Sequence, residues 1–274
     1  MNKKTAIVTG TSSGFGYYTV IELVKLGFHV IATVRSQEKA NQLKEDLNKK
    51  NIDGQQVTIE LLELTETNSI QSFTDKIHNY NSIDILVNNA GFVVGGFVEE
   101  VSIEQYRKQF ETNVFGLIAV TKAVIPFMRK QKQGKIINIS SGMGLMGFPS
   151  MSPYAASKHA VEGFIESLRL ELKPFGIHSV LIEPGSYATS MIPDYQNVEQ
   201  SSPYSQFNKN VQNSLSNFNQ GDPIDVAKLV AVISQMDKPK LRYPIGKGIK
   251  SQIFMKNLLP WNMWEKIMLK VLKM

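Results

Sequence analysis

The chain has 274 residues, of which 42% are hydrophobic and 20% are charged, so it can bury a large core and has the composition of a globular protein. It contains no cysteine, which excludes disulfides and thiolate metal sites. The net charge of +6 is unevenly distributed along the chain. Residues 238–274 hold nine Lys or Arg and one acid (+8), while the rest holds 21 basic and 23 acidic residues (−2). A body that is nearly neutral argues against a nucleic-acid-binding domain.

The N-terminus, MNKKTAIVTG, has only a short apolar run, too short for the core of a signal peptide. No stretch approaches the roughly 18 uninterrupted apolar residues that a membrane span requires. Together with the lack of cysteine, these features predict a cytoplasmic protein. The four histidines show no spacing typical of metal ligands, so no metal is expected.

Short runs rich in Val, Ile and Leu alternate with longer segments of helical period. The apolar runs predict strands over 5–10, 28–34, 56–64, 83–90, 134–140, 178–185 and, more weakly, 241–246. Apolar residues spaced three and four apart predict helices over 17–27, 69–80, 102–131 and 154–172. Strands that are apolar throughout are buried on both faces, so the alternation predicts a parallel sheet with helices on both sides, in one domain spanning 1–274.

Two segments stand outside this alternation. Residues 190–222, rich in Ser, Asn, Gln and Pro, are predicted to form a long substrate loop. Residues 249–274 form a basic, amphipathic extension that contains both tryptophans. It either packs as a lid, core or subunit contact, or lies on an anionic membrane surface; packing is favoured, because amphipathicity has a structural explanation by default. Packing would bury four large side chains, Leu258, Leu259, Trp261 and Trp264.

The first predicted strand runs into TGTSSGFG, which a helical segment follows at once. This arrangement forms a pyrophosphate cradle, because glycines let the backbone approach the phosphates and the helix N-terminus offers N–H groups. The spacing is G-x-x-x-G-x-G rather than the commoner G-x-G-x-x-G. The loop predicts a dinucleotide site with contacts from Gly10, Thr11, Ser12, Ser13, Gly14, Phe15 and Gly16.

The end of the second strand bears on the choice of dinucleotide. An acid at this place binds the adenosine ribose of NAD, whereas an arginine pairs with the 2′-phosphate of NADP. The sequence here is ATVRS, with Arg35 and no acid, which favours NADP(H) over NAD(H); a surface arginine without this role is the alternative. Glu63 and Leu64, at the end of the third strand, are candidates for the adenine edge, and the alternative for Glu63 is a helix-capping or solvated acid.

An ordered set of motifs resembles the short-chain dehydrogenase/reductase family. The motifs are TGTSSGFG, NNAG at 88–91, Asn113 in NVFG, Ser140-Ser141 after a strand, Tyr154-x-x-x-Lys158 and EPG at 183–185. ATVRS and SKHAVEGFIESLRLEL are similar to the branch of 17β-hydroxysteroid and retinol dehydrogenases. The resemblance implies a doubly wound Rossmann-type sheet of about seven strands in the order 3-2-1-4-5-6-7, a nicotinamide cofactor, and a homodimer or homotetramer.

Tyr154 and Lys158 have the spacing of a proton-transfer pair. Ser152 suits an N-cap and Pro153 a first helical position, so a helix begins here and places both side chains on one face. Moving the pKa of a tyrosine from about 10 to about 7 requires roughly 4 kcal/mol of preferential phenolate stabilisation, within reach of a nearby ammonium and a cationic nicotinamide ring. Tyr154 would then remove the hydroxyl proton in alcohol oxidation and donate a proton in carbonyl reduction.

The resemblance assigns further roles in catalysis. It implies that Lys158 also hydrogen-bonds the nicotinamide ribose and that Ser141 holds the substrate oxygen, with Ser140 as the competing candidate. Asn113 would kink the long helix and carry a water that links Lys158 to solvent. The alternative for Asn113 is a buried polar residue satisfied by the backbone.

Further cofactor contacts are implied at two strand ends. Beside the adenine and ribose would lie Asn89, Ala90 and Gly91. Asn88 either contacts the cofactor with them or ties neighbouring strands together. Along the nicotinamide the resemblance places Pro184, Gly185 and Thr189.

The predicted pocket is apolar and rich in methionine, from GMGLMGF at 142–148 and from residues 187–192. Methionines adapt to irregular apolar ligands, so a lipophilic alcohol or carbonyl compound is favoured as substrate, unless these are core or dimer-contact residues. Its predicted contacts are Ser141, Tyr154, Met143 and Tyr187.

Two functions remain open: an NADP-dependent alcohol–carbonyl oxidoreductase, or a non-catalytic NADP-sensing protein on the same fold. The complete set of Asn113, Ser141, Tyr154 and Lys158 favours the enzyme.

Overall fold

The computed structural model describes residues 3–189, 191, 194–195, 202–216 and 220–272. The strands in these ranges are β1 (Thr5–Val8), β2 (His29–Val34), β3 (Val57–Leu61), β4 (Ile85–Asn88), β5 (Val94–Gly95), β6 (Gly134–Ile139), β7 (Ile177–Pro184), β8 (Asp194–Tyr195) and β9 (Arg242–Ile245). The α-helices are α1 (Gly14–Lys25), α2 (Gln37–Asn48), α3 (Thr67–Ile77), α4 (Ile103–Phe110), α5 (Leu117–Gln131), α6 (Ser152–Leu172), α7 (Ser205–Ser216), α8 (Pro223–Gln235), α9 (Ile249–Leu258) and α10 (Trp261–Val271).

Seven of the strands form one parallel sheet in the order β3-β2-β1-β4-β6-β7-β9. Counted in chain order within this sheet, the strands stand 3-2-1-4-5-6-7, so the predicted doubly wound topology is confirmed. The direction of winding reverses between β1 and β4, and the crevice that such a reversal opens at the carboxyl ends of the strands is where ligands bind in sheets of this kind.

Helices cover both faces of the sheet because its central strands are mainly apolar and buried on both sides. Ala6 and Val8 of β1 pack on one face with residues of α1, α2 and α8. Ile7, which points the other way, packs with residues of α3, α5 and α6. An uninterrupted apolar run such as TAIV therefore requires a helical layer on each side.

The helix predicted over 102–131 is interrupted in its middle. A π-helical turn at Glu111–Gly116 joins α4 to α5. Within the described ranges, the stretch Ile103–Gln131 is the one segment long and apolar enough to cross a membrane by length and composition. It is a core helix, because Val120, Val124 and Met128 are fully buried against the sheet.

The loop predicted over 190–222 is wrong in part, because it contains α7. The helix forms around Phe207 and Val211, which are four residues apart: Val211 is fully buried, and the Phe207 ring lies 5.2 Å from the ring of Phe97. Residues 190, 192–193, 196–201 and 217–219 of the predicted loop lie outside the described residues.

Helices α2 and α8 were not predicted from the sequence. In α2 the apolar stripe consists of only three residues, Ala40, Leu43 and Leu47, among polar neighbours. In α8 the N-cap Asp222 accepts a hydrogen bond from the N–H of Ile224 at 3.0 Å. Both helices close the face of the sheet on which α1 lies.

Candidate active site

The glycine loop after β1 adopts a conformation that favours glycine. Gly10 has φ +67° and Gly14 has φ +55°. At Gly16 the constraint is close packing, because a Cβ atom there would lie 2.3 Å from the carbonyl oxygen of Gly10. The loop therefore folds back tightly on the first turn of α1, and Ser12 and Ser13 stay exposed beside the helix N-terminus.

Hydrogen bonds tie this loop to the residues that follow β4. The hydroxyl of Thr9 accepts from the backbone N–H groups of Asn89 and Ala90, both at 3.0 Å. The side chain of Asn89 donates to the carbonyls of Thr9 and Gly10, both at 2.8 Å. Asn89 and Ala90 thus lie beside the glycine loop, and their predicted contacts with the adenine and ribose stay predictions.

Asn88 takes the strand-tying role that the sequence left open. Its amide donates to the side-chain oxygens of Asn138 on β6 and Thr121 on α5, both at 2.9 Å. Asn138 in turn donates to the carbonyl of Val180 on β7 at 3.0 Å. These amides connect three neighbouring strands below the site.

Arg35 follows β2 directly and is exposed. It forms no ion pair with any residue in the described ranges. The structure therefore places this guanidinium at the sheet edge where the sequence predicted a phosphate contact, with its charge uncompensated by a carboxylate of that part of the chain.

The side chains of Glu63 and Leu64 both contact other residues of this chain. The carboxylate of Glu63 accepts from the backbone N–H and the hydroxyl of Thr65, at 3.1 and 2.9 Å, so it caps the turn before α3. Leu64 is buried in the core, against Gly116. Glu63 does not cap helix α3, whose N-cap is Glu66. The predicted contacts of Glu63 and Leu64 with the adenine stay predictions.

Helix α6 begins one residue earlier than predicted. Met151 is its N-cap, Ser152 its first residue and Pro153 its second, so the assignment of Ser152 as N-cap is wrong. The hydroxyl of Ser152 instead forms a 2.6 Å hydrogen bond with the hydroxyl of Tyr106 on α4. This bond fixes the start of α6 against a neighbouring helix.

Tyr154 and Ser141 meet in the crevice. Ser141 lies close enough to Tyr154 to act on the pKa of its phenol. Burial raises the pKa of Tyr154, and the Ser141 hydroxyl partly offsets that rise. The Ser141 hydroxyl also accepts from the N–H of Met143 at 3.1 Å, which fixes the serine at the start of a short 3-10 turn, Gly142–Gly144.

Lys158 lies one turn after Tyr154 on the same face of α6, as the spacing predicted. Its ammonium nitrogen is 5.7 Å from the centre of the Tyr154 ring and donates to the carbonyl of Ile139 at 2.7 Å. Burial lowers the pKa of Lys158 to about 8, and the charge of Glu162 acts against this shift. A lysine with such a pKa exchanges protons near neutral pH far more readily than an exposed one.

Asn113 stands inside the π-helical turn and is almost fully buried. Its side chain donates to the carbonyl of Phe92 and accepts from the N–H of Phe92, both at 3.1 Å, and it donates to the hydroxyl of Ser157 at 3.3 Å. The backbone-satisfied alternative describes this geometry. The turn also brings Asn113 against α6, and π-helical turns inside α-helices occur frequently at functional sites.

A charged cluster that the sequence analysis missed lies behind the site. The hydroxyl of Ser140 donates to Glu162 at 2.6 Å, and Glu162 pairs with Arg242 of β9 at 2.9 Å. The fully buried Glu183 lies 3.3 Å from the same guanidinium, and burial, reinforced by Glu162, raises its pKa to about 8. Because Ser140 is engaged here, Ser141 is the serine that faces Tyr154. An acid within the apolar strand HSVLIEPG was the signal that could have revealed the cluster.

Beside Ser141 lies a cavity of about 360 Å³ that the C-terminal helices α9 and α10 cover. Ile249 at the start of α9 and Trp264 in α10 are buried and pack with Met146. The apolar lining includes Met143, Met146, Phe148, Met255, Trp264 and Met268. The tail therefore forms a lid over the cavity. Only the inner face of this lid is packed as expected, because Leu258 and Trp261, which were expected to be buried, are 66% and 63% exposed.

The segment after β7 runs back to the glycine loop. Thr189 approaches this loop, since a Cβ atom at Gly14 would lie 3.6 Å from its side chain. The ring of Tyr187 packs edge-on against Phe15 at 5.3 Å and covers Gly221. The predicted role of Tyr187 in the substrate wall stays a prediction.

Known proteins resemble this chain over nearly its whole length. The short chain dehydrogenase family matches residues 4–200. An uncharacterized oxidoreductase of Bacillus subtilis, YusZ, is 49% identical over 280 residues, covering 99% of each chain. The 3-ketodihydrosphingosine reductase of Bacteroides thetaiotaomicron is 38% identical over 203 residues, covering 73% of this chain and 70% of its own. A crystal structure of an actinorhodin polyketide ketoreductase variant with NADPH has a TM-score of 0.79 at 28% identity, covering 90% of this chain and 97% of that one.

The chain belongs to the short chain dehydrogenase family, a family of oxidoreductases that use NAD(H) or NADP(H). The residues present fit such a cofactor: the positive φ angles of Gly10 and Gly14 shape a turn at the N-terminus of α1, and Thr189 closes it from the opposite side. Fold and site thus agree with the class that the sequence motifs indicated.

Proposed function

We propose that this protein reduces lipophilic ketones or aldehydes, or oxidises the corresponding alcohols, with NADP(H) as cofactor. The observation that carries the proposal is the grouping of Tyr154 with Lys158, whose ammonium lies 5.7 Å from the Tyr154 ring centre, and with Ser141, which lines a mostly apolar cavity. Two hydroxyl groups that meet beside an apolar space can hold one substrate oxygen while the rest of the substrate leaves water.

The side chains divide the chemistry among them. Ser141 donates to the carbonyl oxygen and holds it near Tyr154. The Tyr154 phenol gives its proton to that oxygen during reduction, and the phenolate takes it back during oxidation. A nicotinamide cofactor held at the glycine loop would supply the hydride for reduction or accept it in oxidation.

Lys158 is the group that favours ionisation of Tyr154. Burial alone raises the pKa of the phenol, so the protein needs a nearby cation to bring this pKa down. The Lys158 ammonium lies at the ring, and its Ile139 partner holds it there. With a pKa of about 8, Lys158 can also return a proton to Tyr154 between turnovers.

The cavity supports a lipophilic substrate. Its apolar lining includes four methionines, whose flexible side chains adapt to irregular apolar shapes. Two of the similar proteins are named for ketones, a 3-ketodihydrosphingosine and a polyketide. Both names are consistent with a long or bulky apolar substrate here.

Consumption of NADPH with methyl ketones of increasing chain length tests the proposal. We expect kcat/KM to rise up to about fourfold per added methylene, the value of a fully buried CH₂, until the cavity is filled. Dihydroxyacetone serves as the polar control. Faster turnover of dihydroxyacetone than of the long ketones would overturn the lipophilic assignment.

Replacing Arg35 with Ala is expected to weaken NADPH binding about ten- to a hundredfold while NADH binding changes less than about twofold. A hydrogen bond to a charged group contributes about 1.5–3 kcal/mol, and NADPH carries a 2′-phosphate on its adenosine ribose that NADH lacks. Fluorescence of the reduced nicotinamide measures both affinities. Arg129→Ala removes an exposed arginine from α5 and serves as the control, and equal losses for the two cofactors would assign Arg35 no part in the selection.

A further inference from the structure

The outer face of the lid is unusually apolar. Seven of the sixteen large apolar side chains that are exposed in the described residues lie between 254 and 271. On α9 the exposed residues Phe254 and Leu258 are four apart and share one face with Lys250. Trp261 follows at the corner between α9 and α10. A cluster of this size is typical of a surface that contacts a membrane or another protein.

Lysines surround these apolar side chains. Residues 247–272 contain five lysines and one acid, a net charge of +4, whereas residues 1–237 carry −2. The ammonium of Lys256 lies 5.7 Å from the centre of the exposed Trp261 ring, and Lys266 and Lys270 project from α10 beside Leu269. Basic residues that flank exposed Trp, Phe and Leu are the features of a helix that lies in the plane of a membrane interface.

The two faces of the lid meet at the cavity rim. Met255 and Val271 line the cavity and are also 39% and 52% exposed. The outer apolar surface is therefore continuous with the apolar cavity beside Ser141.

We propose that the outer face of α9 and α10 binds the surface of an anionic lipid bilayer. The apolar side chains around the corner at Trp261 enter the interface, and Lys250, Lys256, Lys266 and Lys270 meet the lipid phosphates. A second copy of this chain is a poorer occupant, because a symmetric contact would place these lysines against their own counterparts. The binding requires no turnover and does not depend on the reaction assigned above.

Sedimentation of the full chain with vesicles tests this proposal. Vesicles of phosphatidylcholine with phosphatidylglycerol are expected to bind the protein, and vesicles of phosphatidylcholine alone are expected to bind it at least tenfold more weakly. Salt should weaken the binding to the anionic vesicles, because exposed charges are screened. The emission of Trp261 should move to shorter wavelength on binding, since Trp264 is already buried.

Variants on the exposed side chains locate the contact without disturbing the core. Leu258→Ser with Trp261→Ser should weaken vesicle binding at least tenfold, and Lys266→Glu by more than the roughly fivefold expected for loss of a single lysine charge. The controls are Val98→Ser and Lys228→Glu, which make the same kinds of change at exposed positions elsewhere and should leave binding unchanged.

Three results would overturn the proposal. The first is no binding to either kind of vesicle, and the second is equal binding to both. The third is that the unaltered chain is a dimer, and that the double variant Leu258→Ser with Trp261→Ser is a monomer that still binds vesicles as tightly as the unaltered chain.

Discussion

Tyr154→Phe is expected to reduce kcat about a thousandfold while NADPH binds as it does to the unaltered protein. A positioned acid or base contributes about 10²–10⁴ in rate, and phenylalanine keeps the ring but has no proton to transfer. The loss should fall on kcat rather than on cofactor affinity, because the Tyr154 hydroxyl lies near Ser141 and not at the glycine loop. Single-turnover kinetics and fluorescence titration with NADPH measure the two effects separately.

Tyr106→Phe is the matched control for this variant. Its hydroxyl forms one side-chain hydrogen bond, with Ser152 at the start of the helix that carries Tyr154. Each substitution should cost about 1 kcal/mol of stability, but only Tyr154→Phe should stop turnover. Substantial activity in Tyr154→Phe would remove Tyr154 as the acid and base and leave the non-catalytic NADP-binding alternative to be tested.

Gly16→Ala is expected to weaken NADPH binding at least about tenfold and to destabilise the fold by about 1–3 kcal/mol. The new Cβ atom would lie 2.3 Å from the carbonyl oxygen of Gly10 and 2.5 Å from the Asn89 amide nitrogen. Both atoms belong to the tie between the glycine loop and β4, so the loop has to open. Fluorescence titration and urea denaturation measure the two losses.

Gly163→Ala separates this clash from helix propensity. Gly163 is an exposed position of α6 with open space around its Cα, so alanine should stabilise the helix by about 1 kcal/mol and leave cofactor binding unchanged. If Gly16→Ala also binds NADPH normally, the glycine loop is not where the cofactor's phosphates lie.

The sequence predicted the sheet well because the signals of its strands are local and redundant. The central strands are runs rich in branched apolar residues between turn-forming residues, and burial on both faces leaves few alternatives. The motif residues were also accessible, since Tyr154 and Lys158 lie one helical turn apart and Ser141 closely follows a strand. Element bounds depend on capping details, which is why Ser152 was misplaced by one residue.

What the sequence could not supply depends on contacts between distant residues. Arg242 lies 80 residues after Glu162 and 59 residues after Glu183 in the chain. It meets these two acids because β9 pairs with β7 in the sheet. The exposure of Leu258 and Trp261 needed the crossing of α9 and α10, which no local pattern specifies.

The cavity beside Ser141 draws its walls from two parts of the chain. The family match ends at residue 200 and contains Ser141, Tyr154 and Lys158, while Ile249, Met255, Trp264 and the other lid residues lie beyond it. Substitutions in the tail can therefore alter which molecules enter the cavity and leave these three residues unchanged. Similarity that is confined to the matched region carries no information about the substrate.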